Sequence, residues 1–291
     1  MKKRQIKTRF LNLLTDFGFH KIFGTESSKD FLISFLNEVI KEEGLITEIL
    51  YLPTKQQGFS EKERKAVFDI FCTNEKGEYF IVEMQRAKQP YFKDRSLFYT
   101  SLPIQQQAPR GVWNFKLKAV YLIAVLDFVI FDEFEDDKDF IVEHVSLLRE
   151  RTKSYFSQKI KFIFIELPKF VKTEEELKTN FDKWLFSLKN MHFLQERPPS
   201  VKGEIFEELF KIVEINNLKE DEMRTYKKSV LEYRDVRDSI LLAREEAREE
   251  EKISIIKKCL QKNIPLEDIT FLTGFSRENI LRYINSNFVS M

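Results

Sequence analysis

An unbroken run of apolar residues, "AVYLIAVL" at 119–126, constrains the fold more than any other stretch of the chain. It is too short to cross a bilayer as a helix, which takes about 20 residues. A strand apolar at every position has no face to offer water, so it suits the centre of a covered sheet. With 291 residues and 43% hydrophobic composition, the chain is long enough for one such domain and a smaller appendage.

The segments around that run supply the covering layers. Residues 27–43, "SSKDFLISFLNEVIKEE", place Phe31, Leu32, Phe35, Leu36, Val39 and Ile40 at helical spacing, with Ser27 and Asp30 as a capping box and Gly44 closing the helix. A short strand, "LITEILYLP", stops at Pro53, and a polar loop occupies 54–64. The stretch "VFDIFCTNEKGEYFIVEMQ" at 67–85 reads as a β-hairpin, and 90–108 as a helix opened by Pro90. The order helix, strand, strand, strand, helix, strand is α/β with a mixed sheet. "EHVSLLRE" and "KIKFIFIELP" extend the sheet beyond the solvated acidic loop "DEFEDDKD".

After Pro168 the pattern is helical. "TEEELKTNFDKWLFSLKN" carries a cap, an acidic first turn and apolar Leu177, Phe181, Trp184, Leu185 and Leu188, which predicts a helix packed on the sheet. "ERPPS" breaks it. Residues 203–262 are helical and densely charged, and "PLEDITFLTGFSRENILRYI" has the outline of a helix-turn-helix pivoting at Gly274. These shifts predict a domain at 1–195, a charged helical extension at 196–262 and a small C-terminal module at 263–291.

Charge narrows the function classes. Lys and Arg number 48 against 47 Asp and Glu, so no overall basic field marks the chain as a nucleic-acid binder, and any polyanion contact must come from a local patch. Cys72 and Cys259 lie far apart, Cys72 within an apolar strand, which points to a reducing, cytoplasmic setting. "MKKRQIKTRF" lacks the apolar core of a secretory signal, and no stretch is predicted to span a membrane.

The hairpin carries the chemistry. Asp69 and Glu83 sit among apolar neighbours, where a carboxylate is costly. If the turn is the three-residue "EKG" with Gly77 left-handed, Asn74 pairs with Glu78 and Asp69 falls opposite Glu83 on one face; a four-residue turn would shift this by one. Two carboxylates about 5 Å apart at Cβ could share a divalent cation. Gln85 points the same way and could orient a bound water. The other reading is that both acids are solvated at strand ends or paired with Arg64, Arg86 or Lys88.

"LTDFGFHKIFG" at 14–24, "FDIFC" at 68–72, "FIVEMQ" at 80–85, "DRSLFYTSLPIQQQ" at 94–107, "GVWNFKLKAVYLIAVLDF" at 111–128 and "FIELPKF" at 164–170 together resemble the PD-(D/E)XK nuclease family transposases, which belong with the recombination-promoting nucleases. The resemblance spans about residues 10–190. It implies a restriction-endonuclease-like core, a mixed sheet flanked by helices with a helical C-terminal extension, and Mg²⁺-dependent endonucleolytic cleavage of DNA, with Mn²⁺ able to substitute. By position, Asp69 matches the metal-binding Asp and Glu83 the acid of the (D/E)-x-K triplet, while Gln85 stands where the wider superfamily has Lys. A neutral amide stabilises developing negative charge less well than an ammonium.

Asp16 matches the acid of an N-terminal "D-x-G-F" motif, able to reach the metal or else to cap its own helix. His20 fits a structural role better than that of a base. Lys21 is a candidate phosphate contact. On the helix after the hairpin, Arg95 and Tyr99 are four apart and share a face that the resemblance turns toward the site. Arg95 is a candidate phosphate clamp, or the partner of Asp94 or Glu83 in a salt bridge; Gln107 is a further substrate-contact candidate, or a helix-end cap. The expected partner is DNA, with a homodimer through the helical C-terminal region. The alternative is a nuclease-fold protein with weak or lost turnover that binds DNA or a protein partner.

Overall fold

Every residue of Val120–Leu126 is buried in the computed structural model, which describes residues 8–41, 44–56, 66–109 and 111–288. The chain runs α1 (Asp16–Phe23), α2 (Lys29–Val39), β1 (Ile49–Tyr51), β2 (Lys55–Gln56), β3 (Ala66–Val67), β4 (Ile70–Asn74), β5 (Tyr79–Gln85), α3 (Phe92–Gln106), β6 (Val120–Leu126), β7 (Val142–Leu148), β8 (Tyr155–Glu166), α4 (Asn180–Asn190), α5 (Glu204–Ile212), α6 (Glu220–Gln261), α7 (Leu266–Thr273) and α8 (Arg277–Phe288). Among the described residues, six strands form a mixed sheet in the order β1-β4-β5-β6-β8-β7. β6 lies parallel to both neighbours, β5 and β8, and the outer pairs are antiparallel.

Strand alternation splits the core in two. Tyr121, Ile123 and Val125 of β6 join Phe23, Phe35 and Trp184 from α1, α2 and α4 on one face. Val120, Leu122 and Ala124 join Phe92 and Leu102 of α3 on the other. This is the covered α/β sheet that the apolar run requires, with a helical C-terminal region. Cys72 and Cys259 are both free and buried. Among the described residues no helix is long and apolar enough to cross a membrane.

Several boundaries differ from the sequence reading. α2 begins at Lys29 after a short 3-10 turn, and Ser27 and Asp30 form no capping box; the Thr25 hydroxyl engages Ser27 at 3.2 Å and Ser28 at 2.6 Å instead. α2 ends at Val39, and residues 42–43 of the expected helix lie outside the described residues, as do 57–64 of the expected loop, Arg64 included. The strand expected over 45–53 shortens to β1. α3 starts at Phe92, because Tyr91 adopts a left-handed conformation (φ 60°) that turns the chain into the helix. Residues 174–176 form a separate 3-10 turn capped by Thr173 and Glu176, and α4 opens later on its own box of Thr179 and Asp182. Two caps in succession divide what reads as one helix.

The described residues fall into two compact units divided between Arg234 and Asp235, within α6. In the first, α6 is tied to the core: the Tyr226 hydroxyl accepts from Asn12 N (3.0 Å) and the Ser229 hydroxyl from Phe17 N (3.1 Å). In the second, Ile256, Cys259, Ile269 and Ile280 form a small core, and α7 ends on left-handed Gly274 before α8.

Candidate active site

The turn between β4 and β5 sets the geometry of the hairpin acids. Gly77 takes a left-handed conformation (φ 73°) and its N–H donates to the Asn74 carbonyl at 2.9 Å, while Asn74 N donates to the Glu78 carbonyl at 3.1 Å. This is the three-residue turn. The ladder then pairs Thr73 with Tyr79 and Ile70 with Val82, and one step further brings Asp69 opposite Glu83. Asp69 alternates in phase with Phe71 and Glu83 with Ile81; Phe71 and Ile81 share one core cluster, so the two acids share one face.

Each carboxylate takes over a backbone donor where the ladder ends. Glu83 Oε1 accepts from Asp69 N at 3.2 Å, and Asp69 Oδ2 accepts from Met84 N at 2.8 Å. The Gln85 amide donates to Glu83 Oε2 at 3.2 Å. Glu83 is buried, whereas Asp69 is exposed as a residue although protein atoms crowd its carboxyl. Burial, with the Asp69 charge adding to it, pushes the Glu83 pKa up to about 8. Burial also raises Asp69, against the lowering effects of the Met84 N–H and the Arg95 charge. Burial raises both acids and the Asp69 charge raises Glu83 further, so the Glu83 carboxyl keeps its proton at neutral pH unless a cation replaces it.

Arg95 approaches this pair from α3. Its charge lowers both carboxyls, though less than burial raises them. Arg95 Nη1 donates to Gln89 Oε1 at 2.6 Å, while Nη2 is buried with no hydrogen-bond partner among the described residues. Among the described residues Arg95 forms no salt bridge with Asp94 or Glu83. The guanidinium instead lies 5.0 Å from the Phe92 ring centroid and 5.7 Å from that of Tyr99, whose ring packs edge-on to Phe68. Arg95 and Tyr99 line a cleft of about 580 Å³ with Gln89, Tyr91, Asp94 and Phe98.

Asp69 opens onto a different cavity, of about 410 Å³, lined also by Asp16, His20, Phe68 and Met84. Asp16 and Asp69 thus meet at one cavity, but the Asp16 carboxylate is held by Arg86. Thr15, not Asp16, caps α1, accepting from Gly18 N at 3.0 Å. His20 sits exposed on α1, and burial of its ring lowers its pKa. Lys21 pairs with Glu222 at 2.5 Å. Gln107 is bound to the Lys118 backbone, accepting at 2.7 Å and donating at 3.3 Å, next to the first residues of β6 and away from Glu83. Asp69, Glu83, Gln85 and Arg95 therefore come together, Tyr99 flanks them, Asp16 shares a cavity with Asp69, and Lys21 and Gln107 are occupied elsewhere.

Of two supporting residues, Gln89 had no signal of its own in the sequence, and Arg86, expected as a partner of Asp69 or Glu83, pairs with Asp16 instead. Gln89 fixes the Arg95 guanidinium, and Arg86 holds Asp16. The donor set suits a hard cation such as Mg²⁺, which needs only one or two carboxylates and fills its other positions with water and phosphate oxygens. Asp69 Oδ1 has no hydrogen-bond partner among the described residues, and Glu83 is a buried acid beside it. Among the described residues no three His, Cys, Asp or Glu side chains gather as a metal cluster, so the fit is that of a two-carboxylate site without Asp16.

The family model described as PD-(D/E)XK nuclease family transposase matches residues 13–243, from the approach to α1 into α6. No curated protein and no solved structure matches the chain.

Proposed function

The chain belongs to the PD-(D/E)XK nuclease family transposases, and from that premise we propose that it is a Mg²⁺-dependent DNA endonuclease of the recombination-promoting type. The observation that carries this reading is the pair of carboxylates on one face of the β4–β5 hairpin, with an unsatisfied guanidinium nitrogen close by. Acids buried beside apolar strands have no stabilising role of their own, since burial pushes both toward the neutral form.

Asp69 and Glu83 would hold the cation. Bound Mg²⁺ supplies charge stabilisation of a phosphodiester and a more acidic water. Gln85, hydrogen-bonded to Glu83, keeps that carboxylate oriented and turns its own amide toward the site. Arg95, with Nη2 unpaired, offers a donor for a non-bridging phosphate oxygen, and Phe92 and Tyr99 hold its plane in position. Asp16, already engaged by Arg86, acts by shaping the cavity on the Asp69 side. We place the protein in the cytoplasm, where its two free thiols stay reduced, and assign the small C-terminal helical unit to self-association.

A second reading is favoured by one residue. Gln85 offers an amide where an ammonium would stabilise developing charge, which fits a protein that binds DNA and turns over slowly or not at all. Supercoiled plasmid incubated with Mg²⁺ or with EDTA separates the two. Metal-dependent nicking that disappears in Asp69→Ala and Glu83→Ala, with the fold retained, is the expected result. Nicking at an unchanged rate in either variant would remove the pair from the mechanism, and binding without nicking by the wild type would favour the second reading.

A further inference from the structure

β7 and β8 run on past the rest of the sheet. β6 pairs with β8 from Ile160 onward, whereas β7 follows β8 back to Leu148 opposite Tyr155, with irregular register on both sides of Leu147. The tip is closed by Arg149 N donating to Ser154 O (2.9 Å) and Lys153 N to Arg149 O (2.8 Å). Residues 147–157 are therefore a two-stranded ribbon, a form that is marginal in water by itself.

Its surface is unusual for this chain. Phe156 is 76% and Tyr155 57% exposed, and Leu147 and Leu148 are exposed beside them. Residues 149–161 carry Arg149, Arg151, Lys153, Lys159 and Lys161 against Glu150 alone, a net charge of +4 in a chain whose total is +1. Arg149, Arg151, Lys153 and Lys159 are exposed, and among the described residues none of the four makes an ion pair. An otherwise near-neutral protein thus gathers unpaired cations and bare aromatics on one projecting element.

We propose that this ribbon is a second DNA contact, separate from the carboxylate site. Its cations hold backbone phosphates, and Phe156, the more exposed of two rings that successive strand positions turn to opposite faces of the ribbon, lies against sugars and base edges. Cations interleaved with aromatic rings match a nucleic acid, which offers phosphate charge at regular spacing with apolar sugar surface between the charges; an apolar protein partner would leave the cations unmatched. The polyanion chemistry comes from the ribbon, while the choice of DNA rests on the nuclease reading. In register, Glu83 is level with Ala124 and Phe164. The ribbon's Tyr155 lies nine residues earlier on β8, about 30 Å along the strand, which corresponds to about nine base pairs of duplex.

Full-length protein in EDTA, so that no cleavage intervenes, is titrated with a fluorescent duplex of about three helical turns. The triple substitution R149E/R151E/K153E is expected to weaken binding by at least about tenfold and to flatten the salt dependence by about three phosphate contacts, with an unchanged unfolding midpoint because the three side chains are exposed. Y155A/F156A is expected to weaken binding without changing the salt slope. Wild-type binding by the triple variant, no DNA binding by the wild type at low salt, or a preference for duplex RNA of the same sequence would each overturn the proposal. Loss of binding in the variant together with no nicking by the wild type would uphold the ribbon and reject the nuclease reading; nicking with unaltered variant binding would do the reverse.

Discussion

Glu83 has no reason to be where it is unless something compensates its charge. It is buried, it faces a second acid, and its pKa rises from 4.5 to about 8. Between those values the folded protein holds a proton that the unfolded chain releases, so the metal-free protein loses stability as pH rises across that window. Thermal unfolding from about pH 5 to pH 8 should show a falling midpoint in EDTA, flattened in Glu83→Gln; a pH-independent midpoint in the wild type would mean that Glu83 is not desolvated. Mg²⁺ has to displace the same proton, so its stabilising effect should grow with pH. Asp16 teaches the opposite lesson. Its motif is legible, yet part of the motif's meaning is packing: Thr15 caps α1, and a Cβ on Gly18 would run into the Asn12 carbonyl. The pairing of Asp16 with Arg86 reaches across 70 residues, past α2 and the strands β1 to β5, and no local pattern announces it.

At the scale of elements, the hairpin is the most readable part of the chain, because alternation and a left-handed glycine leave little choice of register. A methyl group on Gly77 would meet nothing closer than Lys118 Cε at 3.7 Å, so the cost of a side chain there is conformational. Gly77→Ala should therefore cost roughly 1 to 2 kcal/mol in denaturant unfolding. No loss would mean that the turn, and with it the facing of Asp69 and Glu83, is not fixed by this residue. Helix starts are less readable. Thr25, Ser27 and Ser28 are all good caps, and only their mutual hydrogen bonds decide among them; Thr173 and Thr179 each own a capping box, and spacing alone merges the two. The apolar strands β6 and β8 are plain from composition, but the extension of β8 back to Tyr155 is not, since those residues pair with β7 alone.

For the molecule as a whole, α6 crosses from one compact unit to the other, and its first turns serve the sheet-bearing unit. Tyr226 and Ser229 satisfy backbone donors of Asn12 and Phe17 beside α1, and Tyr233 donates to Asp127 at 3.2 Å just beyond β6. A chain ending after Arg234 should keep cooperative unfolding close to the wild-type midpoint, whereas one ending after Lys219 leaves those donors exposed or unpaired and should unfold several degrees lower. Equal midpoints for the two truncations would show that these contacts contribute little. The overall architecture follows from a few long apolar segments. The placing of charge does not, because 48 cations and 47 acids average to near neutrality and only the fold reveals which of them cluster.

On this reading Asp69 and Glu83 act together as one cation site. Mn²⁺ binding, followed by the loss of the free-ion electron paramagnetic resonance signal at neutral pH, tests it without requiring turnover. Binding in the wild type that is lost in both Asp69→Asn and Glu83→Gln, with the fold intact, is the predicted result; Mn²⁺ bound equally well by either variant, or not at all by the wild type, would contradict it.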